Sequence, residues 1–131
     1  MAIAILNQFA NQNVPASLVA PGPFIMSGVL ECVFRGNSNE EVTRDTITFK
    51  VGRVNLGTGI LPIASCVMSP ASLLFDGFAE NVLWAVDGTR IVGFTDEDRG
   101  SGTANLSVEG DLAVRGLNGM ILRVNYIVFS V

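Results

Sequence analysis

The chain has 131 residues, 49% of them hydrophobic and 15% charged, with a net charge of −4, no histidine and a mean hydropathy of +0.46. That length suits one domain with a single core, and the charged share falls below the ~25% usual for soluble domains. Seven arginines and one lysine form no basic run, which excludes the positive stripe that nucleic-acid binding needs.

A small domain has much surface for its volume, so an apolar surplus must meet either another chain or lipid. No stretch reaches the roughly 18 uninterrupted apolar residues of a spanning helix. The best candidates are broken by Pro15, Pro21 and Pro23, or by Gly57, Gly59, Pro62 and Pro70. The first basic residue is Arg35, so the start of the chain lacks the basic n-region of a secretory signal. The expectation is a soluble, unexported, oligomeric protein with neither nucleic acid nor membrane as a partner.

Charge is distributed unevenly along the chain. Residues 1–30 and 54–75 carry none; of the twenty charged side chains, eight fall in 31–53 and twelve in 76–123. Met1 to Leu6 is apolar and β-prone, Asn7 to Asn13 is rich in Asn and Gln around Phe9, and Val14 to Pro23 contains three prolines. Proline fixes φ, removes a donor and pushes the preceding residue toward extended geometry. Residues 1–23 therefore read as an extended N-terminal arm ahead of a β domain over 24–131. An apolar arm left free invites aggregation. Pairing with its own sheet as a first strand, docking on a neighbouring subunit and disorder are the three readings open to it.

From Phe24 the apolar period is two, as in strands. Leu30, Cys32 and Phe34 share one face of a first strand; Gly36 to Asn39 reads as a loop; Ile47, Phe49 and Val51 share a face of a second strand, which Val54 and Leu56 extend past a kink at Gly52. Ile60 to Met68 is almost continuously apolar, as expected of a strand covered on both faces or lying in an interface, and Ser69-Pro70 interrupts it. Val82 to Val86, Asp87-Gly88 and Thr89 to Thr95 read as a type I′ hairpin, whose two central residues need positive φ. Asp96 to Gly102 is a polar loop. Ala104, Leu106, Val108, Leu112 and Val114 line one face, with Gly110 a candidate bulge, and Asn118-Gly119 is a turn. The last strand, Met120 to Val131, is apolar on both faces: Leu122, Val124, Tyr126 and Val128 on one, Ile121, Ile127, Phe129 and Val131 on the other. About eight strands and no amphipathic helix predict an all-β fold, a single antiparallel β-sandwich of jelly-roll or Greek-key type with a barrel as the alternative.

Chemistry is sparse. Without histidine there is no Ser-His-Asp or Cys-His arrangement, and Cys32 and Cys66 cannot supply a cysteine-only zinc site. They read as two reduced thiols or as one disulfide, since spacing does not fix geometry. No phosphate loop or dinucleotide fingerprint occurs. Two-carboxylate glycosidase chemistry is what the inventory leaves, but most carboxylates fall in loops or on polar faces. Neither catalysis nor a cofactor is expected. Asp96-Glu97-Asp98 is a solvated turn or a calcium loop, and it lacks the alternating oxygens and closing Glu of the best-known calcium loop. Trp84 is read as packing in a core or interface, or as a sugar-stacking platform. Asn105-Leu106-Ser107 matches a glycosylation sequon, read as chance in an unexported chain.

In organisation the chain resembles bacteriophage capsid decoration (cement) proteins: an uncharged arm over Met1–Pro23, a compact β body over Phe24–Val131, few charges and no reactive set. The resemblance implies a non-catalytic virion component, assembled in the host cytoplasm. It implies a homo-oligomer, commonly a trimer, that locks neighbouring major capsid protein subunits together. Ile3, Ile5, Leu6 and Phe9 of the arm, Ile60 and Ile63 of the uncharged stretch, and Ile127 and Phe129 of the last strand are then the expected interface residues. Deleting residues 1–13 is expected to weaken assembly and leave a folded body. A capsid, tail or tube lattice subunit is the nearest alternative, and a carbohydrate- or receptor-binding β-sandwich module is the alternative of another class.

Overall fold

The computed structural model describes residues 2–10, 24–35, 41–55, 64–74, 83–98, 103–116 and 118–130. Among these the chain is all-β, with seven strands: β1 (Ile3–Ala10), β2 (Ile25–Phe34), β3 (Thr43–Asn55), β4 (Ala64–Leu74), β5 (Leu83–Asp98), β6 (Thr103–Arg115) and β7 (Ile121–Ser130). They form two sheets, a four-stranded one in the order β1-β2-β7-β4 and a three-stranded one in the order β3-β6-β5, and every pairing is antiparallel.

The period of two builds a core shared by both sheets. Leu30, Cys32 and Phe34 from β2 and Leu122, Val124, Tyr126 and Val128 from β7 cluster with Ile47, Phe49 and Val51 from β3 and Leu106, Val108, Leu112 and Val114 from β6, all buried. Alternation lets one strand present a dry face inward and a second face outward. The rings of Phe49 and Tyr126 meet across the two sheets with centroids 5.1 Å apart, within the range of a favourable tilted aromatic pair.

Two glycines are required by their surroundings. Gly28 lies opposite Tyr126 in the ladder, and a Cβ there would collide with the Tyr126 hydroxyl and the Phe9 carbonyl oxygen. Gly119 has φ +89° in the Asn118-Gly119 turn, where its N–H donates to the Phe34 carbonyl (2.7 Å) while Phe34 N–H donates to the Met120 carbonyl (2.9 Å). Gly110, a candidate bulge on the sequence, stays in register with Ile47 and Thr89. Its absent side chain instead makes room for Met68, whose sulfur would lie 2.6 Å from a Cβ.

Two expectations are corrected. Asp87-Gly88 is not a hairpin turn; it lies inside β5, which continues along the same partner, Val86 opposite Leu112 and Gly88 opposite Asp111. Asp87 is the additional residue of a bulge, and Arg44 binds its carboxylate. Positive φ, which a type I′ turn needs, occurs among the described glycines only at Gly52 and Gly119. The β5–β6 reversal instead follows the acidic run: Asp96 to Asp98, expected as the start of a polar loop, are the end of β5, with Asp98 opposite Thr103. Ser69-Pro70 does not interrupt its strand either: β4 runs through both and shifts register between Pro70 and Ser72. The strand lies at an edge of its sheet, where a missing N–H is tolerated.

Candidate functional site

The first part of the arm is a strand of the chain's own sheet. Residues 3–10 pair with β2, Ile3 opposite Phe34 and Ala10 opposite Gly28, with a register shift between Ile5 and Asn7. Side chains fasten β1 to β3 of the facing sheet. Ile3 N–H donates to Asp45 Oδ2 (2.9 Å), and Gln8 Nε2 donates to the Lys50 carbonyl (2.8 Å) and to the Tyr126 hydroxyl oxygen (3.1 Å). Ile3 is fully buried in the core and Ile5 packs against it. Removing residues 1–13 therefore takes Ile3 out of the core, so that truncation tests the fold as well as assembly. Residues 11–23 lie outside the described residues.

Phe9, Ile25, Val67 and Ile127 are exposed on the outer face of the four-stranded sheet, while Leu83 and Val92 are exposed on β5 of the other. Register places Ile25 opposite Phe129, Ile127 opposite Val67, and Phe9 opposite Val29. These six form one continuous patch across β1, β2, β7 and β4, since diagonal neighbours on a sheet face lie within side-chain reach. Val67 is 55% exposed, Phe9 54%, Ile25 49% and Ile127 46%; Val29 and Phe129 are half-buried. A polar row borders the patch. Asn7 Nδ2 donates to Glu31 Oε1 (3.1 Å) and Arg123 Nε donates to Glu31 Oε2 (3.2 Å).

Of the residues expected from sequence, the structure brings Phe9, Ile127 and Phe129 onto this face. Ile3 and Ile5 point inward, Leu6 is exposed at the β1 irregularity, and Ile60 and Ile63 lie outside the described residues. Ile25, Val29 and Val67 were missed. Strand phase carried the signal: Met26 and Leu30, and likewise Met68, are buried, so Ile25, Val29 and Val67, at odd spacing from them, must face outward.

The other outer face has a different character. On β3-β6-β5, Arg90 bridges Glu109 and Asp111, the Thr46 hydroxyl donates to Asp111 Oδ1 (2.7 Å), and Arg44 pairs with Asp87. The Arg90 guanidinium, and after it Thr46, hold the Asp111 carboxyl below the usual carboxylate range. Arg44, Asp45, Thr46, Asp87, Asp111 and Leu112 line an open depression of about 360 Å³. Asp45 accepts from Thr46 N–H (2.9 Å) as well as from Ile3, so each of its three carboxylates is already engaged.

The remaining candidates are quickly placed. Cys32 and Cys66 are free thiols. Their partners on β7 are Leu122 and Val128, six residues apart or about 20 Å along the strand, too far for a disulfide. Burial, and secondarily Glu31, pushes the Cys32 thiol up to about 11; burial raises Cys66 too. Trp84 is half-buried and packs against the core. The side chains of Asp96, Glu97 and Asp98 lie outside the described residues, and no three metal-ligating side chains converge among those described. No helix among the described residues is long and apolar enough to cross a membrane. Comparison with family models, with curated proteins and with solved structures found no match.

Proposed function

We propose that this chain is a non-catalytic structural protein, a decoration (cement) component of a virion, that joins its own copies and the shell subunits beneath them. The observation that carries the reading is the outer face of β1-β2-β7-β4, where Phe9, Ile25, Val29, Val67, Ile127 and Phe129 form an apolar patch interspersed with Ser27, Ser65, Ser69 and Asn125 and bordered by the Asn7, Glu31 and Arg123 row. Patches of this kind mark association surfaces, and an apolar core with a polar rim is the usual anatomy of an interface. The virion setting rests on the resemblance in organisation.

The topology supports the jelly-roll form of the sandwich. β2 pairs with β7 and β3 with β6, so the chain pairs in nested antiparallel fashion, as when one long hairpin is rolled into two facing sheets. Jelly rolls are common in viral shells and also in lectins. Trp84, the aromatic that a sugar platform would use, packs against the core instead.

Light scattering on the purified full-length chain tests the proposal. We expect a discrete multiple of the chain mass, a trimer foremost, that falls to the mass of one chain in Ile127→Glu with an unchanged circular dichroism spectrum. A polydisperse polymer would favour a lattice or tube subunit. A wild-type protein that stays single at high concentration would overturn the proposal.

A further inference from the structure

We infer that β1 is an exchangeable strand: in the assembled protein it leaves its own body and fills the same slot, against β2, in a second copy of this chain. The inference rests on the self-association proposed above and names the device that links the copies.

Three observations carry it. First, β1 is an edge strand with a single partner strand, held by the β2 ladder, by the Ile3 and Ile5 side chains, and by the Ile3–Asp45 and Gln8–Lys50 hydrogen bonds to the facing sheet. Another copy's β1 satisfies all of these equally well, so exchange loses no contact and adds a link between chains.

Second, thirteen residues, 11–23, separate the end of β1 from Phe24, and three of them are prolines. Antiparallel neighbours need a loop of only about 2–5 residues. Thirteen residues reach on the order of 40 Å when extended, enough to carry β1 to a neighbouring copy.

Third, both ends of that connection lie beside the apolar patch. Ala10 follows Phe9 and stands opposite Gly28, while Ile25 stands opposite Phe129. A second copy seated on the patch therefore meets the connection where it leaves and re-enters the sheet.

Paired cysteines test this in the full-length chain. Asn7 and Glu31 are directly opposite each other on the outer face and already hydrogen-bonded, a separation that suits a cross-strand disulfide. N7C with E31C is oxidised at a concentration where light scattering gives the assembled mass, then read by non-reducing gel and intact mass, with each single variant as control. F9C with V29C, the adjacent opposed pair, repeats the reading if the first bond does not close. We expect a bond between chains, giving a covalent multiple that both single variants lack. A bond closed within one chain while scattering still reports a multiple would overturn the exchange and leave the proposed function standing. A bond within one chain on a protein that scatters as a single copy would overturn both.

Discussion

The two sheets share one core but differ sharply on the outside. Glu31 and Arg123 are the only charged residues in the four strands β1, β2, β7 and β4, whereas β3 carries four, β5 five and β6 three. On the outer face of β3-β6-β5 Arg90 pairs with Glu109 and Asp111, and Arg44 with Asp87. That sheet meets water mainly through paired charges, with Leu83 and Val92 also exposed on β5. On the four-stranded sheet the charged pair Glu31 and Arg123 lies beside Asn7, and the rest of the outer face mixes the apolar patch with the uncharged Ser27, Ser65, Ser69 and Asn125. The difference teaches that burial demand and solvent demand can be assigned to separate sheets of one small domain, which leaves one of them incomplete until something covers it.

If the inner faces are equivalent, truncating either should cost the same. Leu122 on β7 and Leu112 on β6 both have no exposed surface. Each change to alanine should lower stability by about 2–5 kcal/mol, measured by chemical denaturation. A cost confined to one sheet would break the idea of a shared core.

The outer faces should respond unequally to the same charge. Val67 on β4 and Val92 on β5 are 55% and 45% exposed. Val67→Lys places an unpaired charge in the proposed interface and should weaken association roughly a hundredfold or more, since burying a lone charge costs about 3–5 kcal/mol. Val92→Lys should leave the association constant within about twofold, because Val92, the additional residue of a β5 bulge, lies outside the proposed interface. Equal responses in sedimentation would erase the distinction between the sheets.

Much of this contrast was already written along the chain. The uncharged stretches 1–30 and 54–75 supply all of β1 and β4 and most of β2, so the charge map records sheet membership. Period two identified the inward residues of β2, β3, β6 and β7, as Leu30, Phe49, Leu106 and Tyr126 illustrate. What it did not convey was adjacency. Ile127 and Val67 are sixty positions apart and become neighbours only because β4 is placed beside β7. The Asp87-Gly88 misreading has the same origin: local turn chemistry was outweighed by a long partner strand on which both flanks find hydrogen bonds. Gly28 was legible as a glycine in a strand, but the Tyr126 ring above it depends on register.

The side-chain bond between β1 and β7, within the four-stranded sheet, offers a finer probe. Tyr126 is 1% exposed and its hydroxyl oxygen accepts from Gln8. Tyr126→Phe keeps the ring against Phe49 and removes that acceptor, while Gln8 keeps the Lys50 carbonyl. The expected loss is about 0.5–1.5 kcal/mol, together with faster amide exchange in β1 than in β4. Unchanged β1 exchange would mean that the ladder alone holds the strand.

The smallest effect should come from the charged face, and it should fade in acid. The Asp111 carboxyl is held below its ordinary value, first by Arg90 and then by Thr46. A depressed folded-state value means that the unfolded chain takes up the proton first as pH falls. The contribution is therefore fully present above the unfolded carboxylate value, about pH 4, and is lost progressively below it. Asp111→Asn should consequently lower the melting temperature on the neutral limb, where the contribution is present, and converge with the wild type between about pH 4 and pH 2; the whole difference should be small, because pairs this exposed are screened. Added salt should reduce the difference further. The same profile should leave the assembled mass of the variant at neutral pH unchanged, since Asp111 lies on the sheet that needs no partner; a variant that dissociated would assign this outer face to the interface as well.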